Sequence, residues 1–423
     1  MASGQDVLDR SRSDAVLRVL AAGSVLLIGL HVSLYYGVTT AALPVALLFP
    51  VWTAALSRFR GARSLMMLTL LTLLSGALLA ELAAAEHRVD AREALASTTL
   101  LATGIGAVGV LLWASRVFPT DRIALLYGVG MLIGEIAAPG KWGSTPWKHG
   151  LAFPMAVIAL TVLQRMRSGA ASLTVLAVLG AVSVVLDYRS FLGFCALTVL
   201  LLLWQRASPP AENKRNRFAP LLLLGAVGLA VYFLVSNLLV RGYLGASLQQ
   251  RSIAQIDASG SLLIGGRPEW SATVQLMRMN PWGYGVGVVP NADDLMAGKQ
   301  GFANINVDYN NGYIEKYMLG GQFHLHSIIA DLWSSGGLVG LVLAVAIVGT
   351  LLTSLSVALS ERRASAVLVL VVLVALWDMG FGPIFSNLTD VTLALALALS
   401  GAHRRGAPPA VEHHDVTAEL ILD

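Results

Sequence analysis

Long apolar segments dominate this sequence and decide what the chain can fold into. They recur from the N-terminal region to residue 402, and most are separated by short polar connections. A helix of about twenty apolar residues crosses a bilayer and makes all of its backbone hydrogen bonds internally. Because 56% of the residues are hydrophobic and 13% are charged, with a mean hydropathy of +0.70, the sequence predicts an all-α polytopic membrane protein and excludes a soluble globule.

We expect about twelve transmembrane helices. The segments that carry them are residues 15–36, 38–57, 65–85, 96–117, 122–138, 149–164, 170–188, 190–205, 218–238, 334–358, 364–381 and 383–402. Pro44, Pro50 and Pro154 fall inside these segments and should kink the helices that contain them. Cys195, the single cysteine, lies in an apolar segment, so no disulfide framework is expected.

The distribution of basic residues predicts the orientation of these helices. With both chain ends in the cytoplasm, 18 of the 29 Lys and Arg residues are cytoplasmic and 11 are not, and six of those 11 lie in one long loop. Long loops are exempt from the positive-inside rule, so the short loops place the long loop on the extracytoplasmic side. The net charge of +4 then reflects topology and gives no reason to expect a nucleic-acid partner. The first apolar run has no small-residue cleavage site, which indicates an uncleaved first helix.

These patterns divide the chain into five parts. They are a cytoplasmic N-terminus (1–14), transmembrane helices 1 to 9 (15–238), a large extracytoplasmic loop (239–333), transmembrane helices 10 to 12 (334–402) and a cytoplasmic tail (403–423). A loop of this length inside a tightly wound membrane protein is usually functional. We therefore interpret residues 239–333 as a catalytic loop that contains short helices.

One part of the loop predicts a helix beside an anion site. In residues 265–270, Gly-Gly-Arg-Pro-Glu-Trp, proline suits the first helical position and Glu269 suits the first turn, so the helix should begin at Arg267. Its apolar stripe would be Trp270, Val274 and Met277, and it would end at Asn280 before Pro281. A guanidinium beside free amide protons at a helix start suits a phosphate or pyrophosphate. The alternative is that Arg267 is a solvated loop residue.

Two histidines precede the return of the chain to the membrane. His324 and His326 are two residues apart, so in a helix they would point to different faces and would not bind one metal together. A single histidine near neutral pH at the membrane surface is a reasonable general base for a hydroxyl nucleophile. The alternative is an interfacial histidine that only packs or forms a hydrogen bond. Ser327 follows His326, which is also nearer to the glycine-rich re-entry, and this favours His326 over His324 as the base.

Several ionisable residues fall inside the predicted helices. His31, Glu81, Glu135, Arg189, Asp378 and Asp390 all lie in the outer portions of their helices under this topology. Charge in lipid is costly and usually marks function or a polar cavity, so these positions favour a polar pocket that opens on the outer leaflet. The alternative, for each residue alone, is a side chain that reaches the interface from a helix end.

Three features follow one another in a fixed order. They are Gly266-Arg267 with Trp270, then Asn280-Pro281 with alternating glycines up to Gly287, then His326-Ser327 before Gly336-Gly337. This order resembles the O-antigen ligase and polymerase family of bacterial membrane glycosyltransferases, whose donors are glycans linked to polyprenyl pyrophosphate. A further arginine of that family, in a Ser-Arg-like pair at an outer helix end, resembles Arg189, although Tyr188 stands here in place of the serine.

The resemblance implies a metal-independent glycosyltransferase of surface polysaccharide assembly that needs no cofactor and acts at the outer face of the bacterial inner membrane. Its partners would be a polyprenyl-pyrophosphate-linked glycan donor, a glycan or lipid-glycan acceptor and membrane lipid. Arg267, Arg189 and, as a third candidate, Arg241 would bind the pyrophosphate, and His326 would take the proton of the acceptor hydroxyl. No nucleotide sugar is needed, which fits a chain without a nucleotide-binding domain.

The sequence is also compatible with other functions. Within the family, a ligase moves a finished glycan to a different acceptor, whereas a polymerase extends one lipid-linked glycan with another, and the Gly-Arg-Pro-Glu-Trp form favours the ligase. A transporter of lipid-linked glycans would also use arginines on the pyrophosphate. A metal-dependent enzyme that uses polyprenyl-monophosphate sugars is disfavoured, because the first outer turn (35–40) has no acidic residue. Asp293-Asp294 is read as an exposed acidic turn, and His413-His414 as part of a polar tail.

Overall fold

The computed structural model describes residues 4–35, 37–138, 145–166, 168–208, 219–243 and 245–403. The predicted cytoplasmic tail, with Arg404, Arg405 and His413-His414, lies outside these described residues after His403. The connection at 209–218, which contributes Lys214, Arg215 and Arg217 to the charge distribution, also lies outside them, as does Arg167.

Helices account for most of the described chain. In order they are α1 (Gly4–Leu30), α2 (Ala42–Leu47), α3 (Phe49–Ala55), α4 (Ala62–Ala83), α5 (Ala91–Ala114), α6 (Thr120–Ala137), α7 (Ala152–Arg165), α8 (Gly169–Val185), α9 (Arg189–Ala207), α10 (Ala219–Val240), α11 (Ala246–Ser259), α12 (Leu262–Gly266), α13 (Glu269–Met279), α14 (Ala292–Ala303), α15 (Ile328–Ser360), α16 (Ala366–Phe381) and α17 (Ile384–His403). A 3-10 turn (Leu56–Arg58) follows α3, and π-helical turns lie at Trp147–Leu151 and Ile314–Met318. Strands β1 (Ser33–Tyr35) and β2 (Val38–Thr39) form a short antiparallel hairpin.

Seven helices of the described chain are long and apolar enough to cross a membrane. They are α1, α4, α5, α9, α10, α15 and α17. Their outward surfaces are apolar as well: on α4, Leu74, Leu78 and Leu82 lie four residues apart and are 59%, 63% and 68% exposed. Such a continuous exposed stripe is stable only against lipid or another apolar surface. The molecule is therefore an all-α, multi-pass membrane protein, as the composition predicts.

Several local details differ from the sequence predictions. The predicted continuous helix at 38–57 is instead divided between α2, α3 and a 3-10 turn, and Pro50 lies in the first turn of α3. Helix α13 begins at Glu269, not at Arg267, because Pro268 takes the N-cap position. The re-entry helix α15 begins at Ile328, six residues before the predicted start, because the hydroxyl of Ser327 caps it by accepting from the amide of Ala330.

The helices pack as a bundle with α5, α16 and α17 at its centre. On α5, the residues from Ile105 to Ala114 are all buried. Glycines allow close packing there, because a Cβ at Gly109 would collide with the indole of Trp52. Helix α15 packs along α4 and bends at Gly337, whose φ of 64° lies in the left-handed region. This central bundle carries the loop segment 239–333 at one end.

Alternating glycines fix that loop to the bundle. Gly283, Gly285 and Gly287 have φ angles of 84°, 106° and 71°, and at each of them a Cβ would meet backbone atoms. The amides of Tyr284 and Gly285 donate to the carbonyl of Ser334 on α15 at 2.8 and 2.9 Å. The next amide, that of Val286, donates to the carbonyl of Gly76 on α4 at 3.1 Å. These glycines therefore serve close backbone packing.

A buried hydrogen bond between two side chains adds a second attachment. His87 Nε2 lies 2.9 Å from Asp294 Oδ2, and the two side chains are 9% and 1% exposed. Asp294 also accepts from the amide of Asn291 at 2.9 Å and completes the capping box of α14. The interpretation of Asp293-Asp294 as an exposed turn is thus wrong for Asp294, which is buried because it holds the loop against the α4–α5 connection.

Candidate functional site

A cavity of about 760 Å³ lies where the loop meets the bundle. His326, Arg267 and Arg189 all line it, although they come from three distant parts of the sequence. Its volume lies within the range of a small-molecule or cofactor pocket. Three of the four residues that the sequence selected are therefore brought together by the fold.

Arg267 reaches the cavity from the turn between α12 and α13. Its guanidinium lies over the ring of Trp377, 5.8 Å from the centroid, which is a cation–π distance. The turn is held in place because the indole of Trp270 donates to the carbonyl of Gly380 at 2.7 Å. Among the described residues, no carboxylate lies within ion-pair distance of Arg267. A guanidinium in this arrangement is available to an anion.

His326 lies just before α15 in a backbone conformation that is unusual for a residue with a side chain, with φ of 53°. Its neighbours hold this conformation. The amide of Leu325 donates to Asp331 Oδ1 at 2.8 Å, and the hydroxyl of Ser327 donates to the carbonyl of Met379 at 3.0 Å. Asp331 Oδ2 also accepts from the amide of Ile384 at 2.9 Å, so this buried carboxyl joins the start of α15 to the start of α17.

The imidazole of His326 has a defined hydrogen-bond partner. Nδ1 lies 3.1 Å from the carbonyl oxygen of His324, and a carbonyl can only accept. Nδ1 must therefore donate, which leaves the lone pair of a neutral imidazole on Nε2. The ring of His324 packs instead on Phe385, with centroids 5.0 Å apart, and does not line the cavity. The two histidines thus face different surroundings, and only His326 is placed for chemistry there.

Arg189 is the first residue of α9 and belongs to a charged group. Its Nη1 donates to the hydroxyl of Ser252 on α11 at 3.3 Å, and its Nε lies 3.9 Å from Asp187 Oδ1. Asp187 also pairs with Arg251, whose Nη1 is 3.2 Å from Oδ2. A single carboxylate thus lies between two guanidinium groups, and all three side chains line the cavity. Sequence reasoning missed Arg251 and Asp187 because only the tertiary fold brings α11 to the start of α9.

Lys148 and His149 also line the cavity and were not selected from the sequence. They are adjacent in the π-helical turn at Trp147–Leu151, which is anchored by a hydrogen bond from the Trp147 indole to the Ser183 hydroxyl at 2.8 Å. Single π-helical turns occur frequently at functional sites. The one signal available in the sequence was a lysine directly before a predicted membrane helix.

Apolar residues of two membrane helices continue the cavity away from these charges. Gly193, Phe194 and Leu197 of α9 face Gly228, Val231 and Val235 of α10 along this part of the lining. Only Pro220 and Leu239 of α10 are buried, so this helix is largely uncovered by protein. The cavity therefore has a charged end and an apolar end.

Asp378 and Asn387 form the polar boundary beside Trp377. The amide of Asn387 donates to Asp378 Oδ1 at 2.8 Å, while Oδ2 is buried without a partner among the described residues. Both residues line the cavity, and Asp378 is 4% exposed.

Other residues selected from the sequence lie elsewhere. Arg241, the third pyrophosphate candidate, is exposed and does not line the cavity. Of the ionisable residues predicted to share a pocket, Arg189 and Asp378 do, whereas His31, Glu81, Glu135 and Asp390 do not. His31, Glu81 and Glu135 lie on or beside α1, α4 and α6, whereas Asp390 lies on α17 three residues after Asn387, which does line the cavity.

No protein family, curated protein or solved structure matches this chain. We therefore infer the function from the residues and the geometry of the cavity.

Proposed function

We propose that this protein is a membrane glycosyltransferase of the O-antigen ligase-like type. It transfers a glycan from a polyprenyl-pyrophosphate donor to an acceptor hydroxyl at the extracytoplasmic face of the bacterial inner membrane, in surface polysaccharide assembly. The observation that carries the proposal is the meeting of His326, Arg267 and Arg189 in one cavity. His326 was selected as the general base and the two arginines as ligands of the pyrophosphate, and the reaction requires the base and these ligands close together.

The charges of the cavity suit a pyrophosphate. Four basic residues, Lys148, Arg189, Arg251 and Arg267, share the lining with two acidic residues, Asp187 and Asp378. The basic residues of the lining thus outnumber the acidic ones by two. A pyrophosphate diester carries two negative charges, and Coulomb attraction is strong where protein and lipid displace water. Arginine forks also match phosphate oxygens in pairs, which orients the donor.

The reaction follows from these positions. Nε2 of His326 accepts the proton of the acceptor hydroxyl as its oxygen attacks the anomeric carbon of the donor sugar. The new glycosidic bond forms while the bond from that carbon to the pyrophosphate oxygen breaks. The electron pair leaves with polyprenyl pyrophosphate, and the arginines stabilise the negative charge that grows on it. The proton on His326 then passes to solvent, which completes the cycle without a metal or a cofactor.

The apolar end of the cavity suits the polyprenyl tail. Helices α9 and α10 present small and aliphatic residues there, including Gly193, Gly228 and Val235. A prenyl chain gains free energy by burying apolar surface, and a groove between helices lets it remain partly in the bilayer. The pyrophosphate at the end of the tail would then lie beside Arg189 at the start of α9.

The proposal includes about twelve membrane crossings with residues 239–333 outside. Beyond the seven long apolar helices, α6, α7, α8 and α16 pack alongside them, and α2 with α3 supplies a broken segment. The excess of basic residues in the opposite short loops supports this orientation. It places the cavity at the outer leaflet, where a flipped lipid-linked donor would be reached.

The position of the charges favours transfer over transport. A transporter of lipid-linked glycans needs a polar path between the two sides of the membrane. Here the charged lining is confined to one end of the bundle. A separate cavity of about 280 Å³ at the other end, lined by Asp121, Gln164 and Arg363 among others, shares no residue with it.

The test is a transfer assay with purified protein and lipid-pyrophosphate-linked oligosaccharide, with wild type and His326→Ala compared on one gel. A single acceptor-dependent shift that is lost in the variant supports the ligase type. A ladder that is lost in the variant indicates the polymerase of the same family. If no donor and acceptor pair gives a product, or if His326→Ala keeps full activity, the proposal is wrong.

A further inference from the structure

Tyr313 connects the two halves of the proposed active site. Its ring stacks on the imidazole of His326, with centroids 6.0 Å apart and planes inclined by 29°. Its hydroxyl donates to Glu269 Oε1 at 2.8 Å. Glu269 is the first residue of α13 and follows Arg267 by two positions. One side chain thus contacts the segments that carry the proposed base and the proposed pyrophosphate ligand.

The hydrogen bond between Tyr313 and Glu269 is shielded from solvent. Glu269 is 7% exposed, so its carboxylate needs the phenol as a partner. Burial, together with the neighbouring Glu269, raises the pKa of the Tyr313 phenol above its ordinary value. The hydroxyl therefore remains protonated and continues to donate at any pH at which the protein would operate.

The imidazole of His326 needs a further contact that fixes its orientation. It lies outside a helix with φ of 53°, so no helical turn fixes its side chain. The bond from Nδ1 to the carbonyl of His324 fixes one edge of the ring, but the ring can still rotate about that contact. A flat aromatic face against the imidazole removes this freedom. General-base catalysis depends on such orientation, because small misplacements of the base cost large factors in rate.

We propose that Tyr313, anchored by Glu269, is a positioning residue that holds the imidazole of His326 in the orientation in which Nε2 faces the cavity. This inference rests on the proposed role of His326 as the general base. Tyr313 itself does not line the cavity.

Kinetics provide the first part of the test. We expect Tyr313→Leu to lower kcat by about ten- to hundredfold and to leave the donor KM within about twofold, because the cations remain in place. Tyr313→Phe keeps the ring and should recover kcat to within about fivefold of wild type. Tyr309→Leu, a tyrosine of the same loop that is 40% exposed, is the matched control and should change neither value. In a His326→Ala background, Tyr313→Leu should add less than about twofold, because its effect acts through the histidine.

Chemical modification provides the second part of the test, which does not depend on transferase activity. Diethyl pyrocarbonate modifies accessible imidazoles, and peptide mass spectrometry measures each site separately. We expect Tyr313→Leu to raise the modification rate of His326 about threefold or more, because one ring face is uncovered, while Tyr313→Phe leaves it unchanged. His149, which lines the same cavity, is the internal reference.

The two parts separate the two proposals. If wild type transfers no glycan but His326 is uncovered in Tyr313→Leu, the proposed function fails, whereas the orientation of the imidazole by Tyr313 stands. If wild type is active and Tyr313→Leu retains full kcat, or if the modification rate of His326 does not change, the positioning role is wrong.

Discussion

Nδ1 of His326 lies 3.1 Å from the backbone carbonyl oxygen of His324, so one histidine orients the other through its main chain. The side chain of His324 takes no part in this contact. It packs on Phe385, and burial together with the neighbouring His326 lowers its pKa to about 4. The two histidines are two residues apart in sequence, but only His326 lines the cavity.

Exchange of each histidine should therefore give very different results. We expect His326→Ala to lower glycan transfer by about 10²- to 10⁴-fold, which is the usual contribution of a general base. His324→Leu keeps the backbone carbonyl and should retain activity to within about fivefold. Initial rates of acceptor glycosylation would measure both. Equal losses in the two variants would contradict the assignment of His326 as the base.

The arginines that line the cavity should contribute to turnover of the proposed donor, whereas an arginine outside the cavity should not. We expect Arg267→Ala and Arg189→Ala each to lower kcat/KM by about 10²- to 10³-fold, because each removes a charged donor from the leaving group. Arg241→Ala is the matched control, since Arg241 is exposed and lies outside the cavity, and it should stay within about threefold of wild type. A loss in Arg241→Ala as large as in Arg267→Ala would contradict the proposed pyrophosphate site.

His324 should make the stability of the protein depend on pH. Its pKa is about 4 in the folded protein and 6.5 ordinarily, so between these values the unfolded chain binds a proton that the folded chain does not. The contribution of His324 to the free energy of unfolding should therefore be fully present above pH 6.5 and be lost as the pH drops toward 4. His324→Leu lacks this proton, so its Tm in detergent should fall less than that of wild type between pH 7 and pH 5. Identical pH profiles would exclude His324 as the cause.

Gly285 should be among the least replaceable residues of the loop. Its φ of 106° disfavours a side chain, and a Cβ there would collide with the backbone of Ala80 on α4. We expect Gly285→Ala to destabilise the protein by about 3 kcal/mol, from backbone strain and overpacking together. Gly349→Ala on α15 is the control, because a Cβ there meets nothing within 4 Å. Thermal unfolding of the two variants would show the difference, and similar Tm values would contradict it.

Much of the architecture follows from local sequence. Apolar length predicts where most of the long helices lie, and the Asn280-Pro281 pair predicts the end of α13, which the structure places at Met279 with Asn280 as the C-cap. Helix starts are less predictable, because a cap is decided by which side chain reaches an amide. Ser327 caps α15 for this reason. Pro268, in contrast, takes the N-cap position of α13 without a side-chain hydrogen bond, and this leaves Arg267 outside the helix.

The site itself was only partly accessible from sequence. His326, Arg267 and Arg189 were selected by motif, and the fold brings them together. Lys148 and Arg251 carry no motif and reach the cavity only through the packing of α7, α9 and α11. The contact between Tyr313 and His326 depends on a π-helical turn, which local sequence patterns do not predict.

Helix α10 lines the cavity with one face, through Gly228, Val231 and Val235, and leaves its opposite face uncovered by protein. With only two buried residues along its length, this helix would meet lipid over that opposite face. If the cavity takes a prenyl chain as we propose, the thickness and fluidity of the surrounding bilayer would bear on the wall that holds the chain. A change in membrane composition would then alter how the chain enters and leaves, even though no residue of the protein had changed.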